Sequence, residues 1–154
     1  MNKLLKFLLL VLIVLIPTCT LVQERDVCNE GVMSEEELWR SQWDDLLVAL
    51  IQVESSGDSL ALGSCEDRGI LQITPITIRE VNRLTGLNYT HDDAWSVEKS
   101  KEIFYIIAEK YCPEGDYEKM ARIWNGGPRG HLKETTVAYW IRVQKELNKK
   151  RKLI

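Results

Sequence analysis

The sequence predicts a single, mainly α domain, and three observations carry that expectation. Apolar residues return at three- and four-residue spacing through Trp39, Trp43, Leu46, Leu47, Leu50 and Ile51, and again through Val97, Ile103, Phe104, Ile107 and Tyr111. Between such stretches stand residues that stop and start helices: Ser55-Ser56-Gly57, Thr74-Pro75, Gly86, Ser96, Pro113 and Asp116. Strand signals are weak throughout and no internal repeat is visible. The 154 residues, 45% hydrophobic and 28% charged, have the composition of one compact globular core.

In chain order, Lys3 and Lys6 precede an unbroken apolar run from Phe7 to Ile16, which Pro17 ends. This is the layout of a secretory signal, its apolar stretch short for a membrane span. Pro17-Thr18-Cys19-Thr20 is neither a good A-x-A site nor the usual approach to a lipidated cysteine. Residues 1–20 therefore read as a signal peptide or an N-terminal membrane anchor, and the protein as exported to the periplasm or cell envelope. Residues 21–36 form a polar lead-in. A folded domain follows over 37–148, and the basic run KKRKLI at 149–154 reads as a solvated tail.

Within the domain the first helix runs from Trp39 to the stop at Ser55-Ser56-Gly57. Residues 58–69 form a loop with room for a short irregular hairpin. Thr74 caps a helix that has Pro75 at its first position and ends at Gly86. Ser96 caps a longer one through Tyr111, and Asp116 caps a short one over 117–124 that runs into NGGPRG. A last helix spans about Thr135 to Asn148.

Several function classes are excluded. Without residues 1–20 the chain holds 18 basic and 23 acidic residues, a formal charge of −5 that argues against nucleic acid as a partner. With no C-x-x-C pair and only His91 and His131, no metal site or cofactor is expected. Cys28, Cys65 and Cys112 suggest one disulfide, Cys65 with Cys112 or with Cys28, and a leftover thiol; three separate buried thiols are the alternative.

Three stretches carry chemistry. Trp43, Leu47, Leu50 and Glu54 share one helical stripe, so the Glu54 carboxyl points at the core or a cleft. Burial there disfavours the charged form and suits a general acid near neutral pH. The structural alternative is a helix-end Glu paired with an arginine, Arg68 or Arg122 for example. In Gly69-Ile70-Leu71-Gln72-Ile73-Thr74, a glycine that permits close backbone approach stands beside a neutral amide. Ala121-Arg122-Ile123-Trp124-Asn125-Gly126-Gly127-Pro128 offers an aromatic face and an amide for a sugar ring, or else a core tryptophan and a helix cap.

In this order, across residues 43–143, these stretches resemble the soluble lytic transglycosylase (SLT) domain. Glu54-Ser55, Ala61 and Gly69-Ile70-Leu71-Gln72 stand at the offsets of that family's first motif. Ala121 to Gly127 parallels Ala-x-x-Ala-Tyr-Asn-Ala-Gly, and Glu134-Thr135 with Tyr139 to Val143 parallels its last motif. Glu66-Asp67 departs from the usual Gly-Ala, and Gly63, beside Ser64, stands where a serine often supports the catalytic Glu. The resemblance implies a lysozyme-like fold with little or no strand, a glycan-binding groove, and peptidoglycan glycan strands as partner.

It also implies Glu54 as catalytic acid and then base, forming a 1,6-anhydro end, with Ser55, Gln72, Trp124, Asn125 and Tyr139 at the substrate. A lysozyme-like hydrolase using Glu54 with Asp58, Glu66 or Asp67 is the alternative, and a non-catalytic wall-binding or assembly module a further one. A role beside secretion, conjugation or phage machinery is compatible with the sequence. Contact with a membrane is expected only through an uncleaved anchor.

Overall fold

The computed structural model describes residues 33–151, so the segment 1–20, Cys28 and the end of the basic tail lie outside the described residues. Six α-helices are present among them: α1 Glu35–Ser41, α2 Asp44–Glu54, α3 Pro75–Thr85, α4 Val97–Tyr111, α5 Tyr117–Gly126 and α6 Val137–Arg151. Short 3-10 turns at His91–Trp95, Gly130–Leu132 and Glu134–Thr136 join them. No strand occurs among the described residues; the nearest approach is two isolated antiparallel bridges, Leu62 with Arg68 and Arg68 with Ile73. They make the loop between α2 and α3 the irregular hairpin that its composition suggested.

Most helix ends follow local chemistry. Thr74 Oγ1 accepts from Thr77 N at 3.1 Å, Ser96 Oγ from Lys99 N at 3.2 Å and Asp116 Oδ1 from Lys119 N at 3.0 Å. Gly86 closes α3 in the left-handed conformation, φ 72°.

The first predicted helix is corrected at both its start and its middle. It begins at Glu35 because Ser34 and Glu37 form a reciprocal capping box, with Ser34 N donating to Glu37 Oε2 at 2.8 Å. The polar lead-in is therefore shorter than expected. It then breaks at Gln42-Trp43. Gln42 Nε2 takes the Trp39 carbonyl at 2.9 Å, and Trp43 N reaches three residues back to the Arg40 carbonyl at 3.0 Å. A side chain thus competes successfully for the carbonyl the helix ladder needs. Apolar periodicity continues through the break, which is why spacing alone misses it.

At the other end, α5 extends through Asn125 and Gly126, and Gly127 (φ 79°) is its cap. The last helix likewise continues through Arg151, so the start of the basic tail is helical.

The core is built on Trp43, Leu46, Leu50, Leu71, Ile73, Ile103, Phe104, Met120 and Val143, all fully buried. Trp43 meets Phe104 edge-on at 5.9 Å and stacks on Tyr117 at 6.0 Å, locking α2 to α4 and α5. The predicted disulfide between Cys65 and Cys112 is absent: Cys65 is exposed and Cys112 buried, both free thiols. Nor are all the thiols buried. The other pairing weighed, Cys65 with Cys28, lies outside the described residues.

Between α3 and α4, Glu80 accepts hydrogen bonds from Arg83 and from the Tyr111 hydroxyl. These two donors, with burial working against them, hold its carboxyl down to about 2 from the ordinary 4.5. A depressed carboxylate stabilises the fold above its unfolded value, and that contribution disappears as pH falls through the folded value. Glu80→Gln is therefore expected to lower the melting temperature at pH 7. The gap to wild type should close between about pH 4.5 and about pH 2 in thermal unfolding scans.

Candidate active site

Glu54 is the last residue of α2, delivered there by the stripe that buries Leu46, Leu47 and Leu50. Its carboxyl end is largely withdrawn from solvent. The Tyr139 hydroxyl on α6, itself buried, donates to Glu54 Oε1 at 2.5 Å. Desolvation pushes the Glu54 carboxyl above its ordinary value, and the negative charge of Asp67 adds to this. The Tyr139 hydrogen bond and the positive charge of Arg142 oppose it without reversing the direction. Burial and the neighbouring Glu54 raise the Tyr139 phenol well above its usual range, so Tyr139 remains a donor throughout the neutral range.

Neither arginine weighed as an ion-pair partner of Glu54 pairs with it. Arg68 pairs with Asp92 at 2.6 Å, and Arg122 pairs with Glu118 at 2.9 Å. Arg122 also donates to Thr136 Oγ1 and the Lys133 carbonyl, tying α5 to the turns before α6.

Ser55 holds the end of α2 against the next loop. Its hydroxyl lies 2.8 Å from the Ile70 carbonyl and 3.3 Å from that of Ile51, and it accepts from Gly57 N at 3.2 Å. Gln72 performs a similar task from inside the loop: Nε2 donates to the Ala61 and Gly69 carbonyls at 3.1 and 3.0 Å. Ser55 and Gln72 Nε2 thus both bond the backbone of the loop that follows α2. These bonds hold residues in a backbone conformation that side chains disfavour. Ser56, Glu66 and Gln72 have φ of 56°, 63° and 49°, the non-glycine left-handed residues among those described, each costing roughly 1–3 kcal/mol.

The Gly63 departure has a steric cause. A Cβ there would lie 2.7 Å from Gln72 Oε1 and 2.9 Å from Asp67 Oδ2. The space a serine side chain would use is filled by an amide oxygen and a carboxylate. Gly63→Ser is expected to displace both and to cost about 1–3 kcal/mol. A thermal melt reads the stability, and the pH profile of activity reads the displaced Asp67 charge.

Of the three carboxylates considered as partners of Glu54, Asp67 alone exerts its charge on it. Asp58 instead caps the loop, its Oδ1 accepting from Leu60 N at 2.8 Å, and Glu66 is exposed. Trp124 is half-buried at the edge of the core. It packs against Phe104 at 5.6 Å, and it also lines a cavity of about 70 Å³ with Ile76, Gly127 and Pro128. Asn125 is exposed in the last turn of α5. Glu54 is thus bonded to Tyr139 and feels the charge of Asp67, while Ser55 and Gln72 bond the backbone of the adjoining loop; Trp124 and Asn125 lie on α5. Sequence reading missed Arg142, although its place three residues after Tyr139 puts both on one helical face.

A recess of about 520 Å³ between α1 and α4 contains none of these residues; it is lined by Trp39, Arg40, Tyr89, Glu102 and Tyr105 among others. Among the described residues no acidic, cysteine or histidine cluster could hold a metal, and no helix is long and apolar enough to cross a membrane.

Residues 32–146 match the Transglycosylase SLT domain family. One chain in the crystal structure of Aeromonas hydrophila PliI in complex with Meretrix lusoria lysozyme superposes with a TM-score of 0.58 and 24% identity. That alignment covers 66% of this chain and 88% of the other. No curated protein matches the chain. The fold is lysozyme-like and mainly α, as the spacing of its apolar residues and the order of its motifs led us to expect.

Proposed function

Because the chain belongs to the Transglycosylase SLT domain family, we propose that it is an exported peptidoglycan lytic transglycosylase with Glu54 as its acid and base. The observation that carries this reading is the desolvated Glu54 carboxyl at a helix end, held at one oxygen by Tyr139. With Oε1 engaged, Oε2 carries the proton. It protonates the bridging oxygen of the MurNAc–GlcNAc bond as the bond to C1 breaks. The Glu54 carboxylate then takes the proton from the C6 hydroxyl, whose oxygen bonds to C1 and closes the 1,6-anhydro ring, with the substrate N-acetyl group assisting. One residue serves both steps, which requires a proton affinity near the working pH.

Tyr139 and Ser55 orient Glu54, Gln72 fixes the adjoining loop, and Trp124 with Asn125 supplies an aromatic face and an exposed amide for the glycan. Export is supported by the basic and apolar pattern of residues 1–20 and by a substrate that lies outside the cytoplasmic membrane.

A second reading, hydrolysis with a carboxylate positioning water, is favoured by the charge of Asp67 on Glu54. Mass spectrometry of digested glycan strands separates the two. Anhydro-muropeptides are expected; reducing ends would instead establish the hydrolase. Strands that bind without releasing soluble products, and bind equally after Glu54→Gln, would establish a binding module and overturn the enzyme.

A further inference from the structure

We propose that Arg142 is a positioning residue for Glu54: its guanidinium lies over the Tyr139 ring, aligning the hydroxyl that holds Glu54 Oε1, and sets a positive charge before the carboxylate formed on proton release. The inference rests on the reading of Glu54 as the acid. Arg142 Cζ lies 5.2 Å from the Tyr139 ring centroid, within cation–π reach. The ring is buried while Arg142 is exposed, so the guanidinium caps the solvent side of the tyrosine. Tyr139 in turn meets Glu54 at 2.5 Å. Two contacts thus link the exposed arginine to the acid, one through the Tyr139 ring and one through its hydroxyl.

Charged and titratable groups act on Glu54 from each side. Asp67 acts from the α2–α3 loop, and Tyr139 and Arg142 act from α6. Burial alone makes a carboxyl that holds its proton too tightly to give it to a leaving oxygen. Arg142 tempers this, and Asp67 works in the opposite sense. Arginine suits the position because a planar guanidinium stacks on an aromatic face, which the compact ammonium of lysine does less well.

The test uses the full chain and two readouts: the carbon-13 NMR titration of the Glu54 carboxyl, and the pH profile of glycan cleavage. In Arg142→Gln the Glu54 titration and the alkaline limb of activity are expected to rise together by roughly 0.2–0.7 pH unit, the size of an exposed charge interaction. In Asp67→Asn both move down. Arg142→Lys restores the titration, which needs only charge, but not the full rate, which also needs the stacked ring. Raising salt from about 0.1 to about 1 M moves wild type toward Arg142→Gln, because screening shortens to ~3 Å.

A Glu54 titration identical in wild type and Arg142→Gln, or an activity loss that leaves the alkaline limb in place, overturns the proposal. Absence of cleavage by the wild type would overturn the functional reading instead. The NMR titration decides the role of Arg142 in either case.

Discussion

Replacing Glu54 by glutamine is expected to lower glycan-strand cleavage by roughly 10²–10⁴-fold, the share of a rate that a positioned general acid supplies. The fold should survive. Glutamine has the same shape and its amide oxygen can still accept from Tyr139. The sign of the stability change follows from the raised proton affinity of Glu54. Below the ordinary carboxyl value of about 4.5 the wild-type group is protonated in both states and costs nothing. As pH rises, the folded state holds its proton longer than the unfolded chain, so wild-type stability falls until the folded group ionises. Glu54→Gln removes that loss and should melt at or above the wild-type temperature at pH 7. Activity retained after the substitution, measured as released muropeptides from a correctly folded variant, would remove Glu54 from the mechanism.

Gly69→Ala is expected to be the most damaging small change outside the hydrophobic core. Gly69 has φ 73°, and an added Cβ would lie 1.8 Å from the Ala94 carbonyl oxygen. The left-handed backbone costs an L-residue about 1–2 kcal/mol, and forcing the contact adds about 1–3 kcal/mol more, so a loss of roughly 2–5 kcal/mol is expected in denaturant unfolding. The affected turn also carries the carbonyls of Gly69 and Ile70, which hold Gln72 and Ser55. Cleavage should therefore fall even under conditions where the variant remains folded. A Gly69→Ala variant as stable and active as wild type would mean that this approach of loop to 3-10 turn is looser than the geometry requires.

What was legible in the sequence is what local chemistry determines. Thr74, Ser96 and Asp116 cap helices because a side-chain oxygen three residues before a free N–H needs no help from the rest of the fold. Glu54 was legible for a related reason: helical spacing put it on the apolar stripe, and α2 is buried along that stripe. The glycine of the Gly69–Gln72 stretch was rightly read as a site of close backbone approach, though the atom it approaches could not be named.

The misses have non-local causes. The break at Gln42-Trp43 depends on a side-chain amide capturing a carbonyl, and the Tyr117 hydroxyl, 75 positions away, donates to the Gln42 carbonyl at 2.5 Å. The arginines offered as partners of Glu54 found Asp92 and Glu118 instead, since pairing follows proximity in space. Motif order pointed to Tyr139 and Gln72 but placed both at the substrate. Motif order said nothing of their bonds within the chain, from Tyr139 to Glu54 and from Gln72 to the Ala61 carbonyl.

The bond between Tyr139 and Glu54 spans 85 positions and joins the second helix to the last. Until α6 has docked, the carboxyl at the end of α2 has neither its anchor nor the burial that Tyr139 provides. A chain still being synthesised, or one truncated before α6, would carry an unanchored, more solvated carboxyl. If Glu54 is the acid, as proposed, a copy that lacks α6 is expected to leave glycan strands uncut, because the anchor of the acid arrives with the last helix.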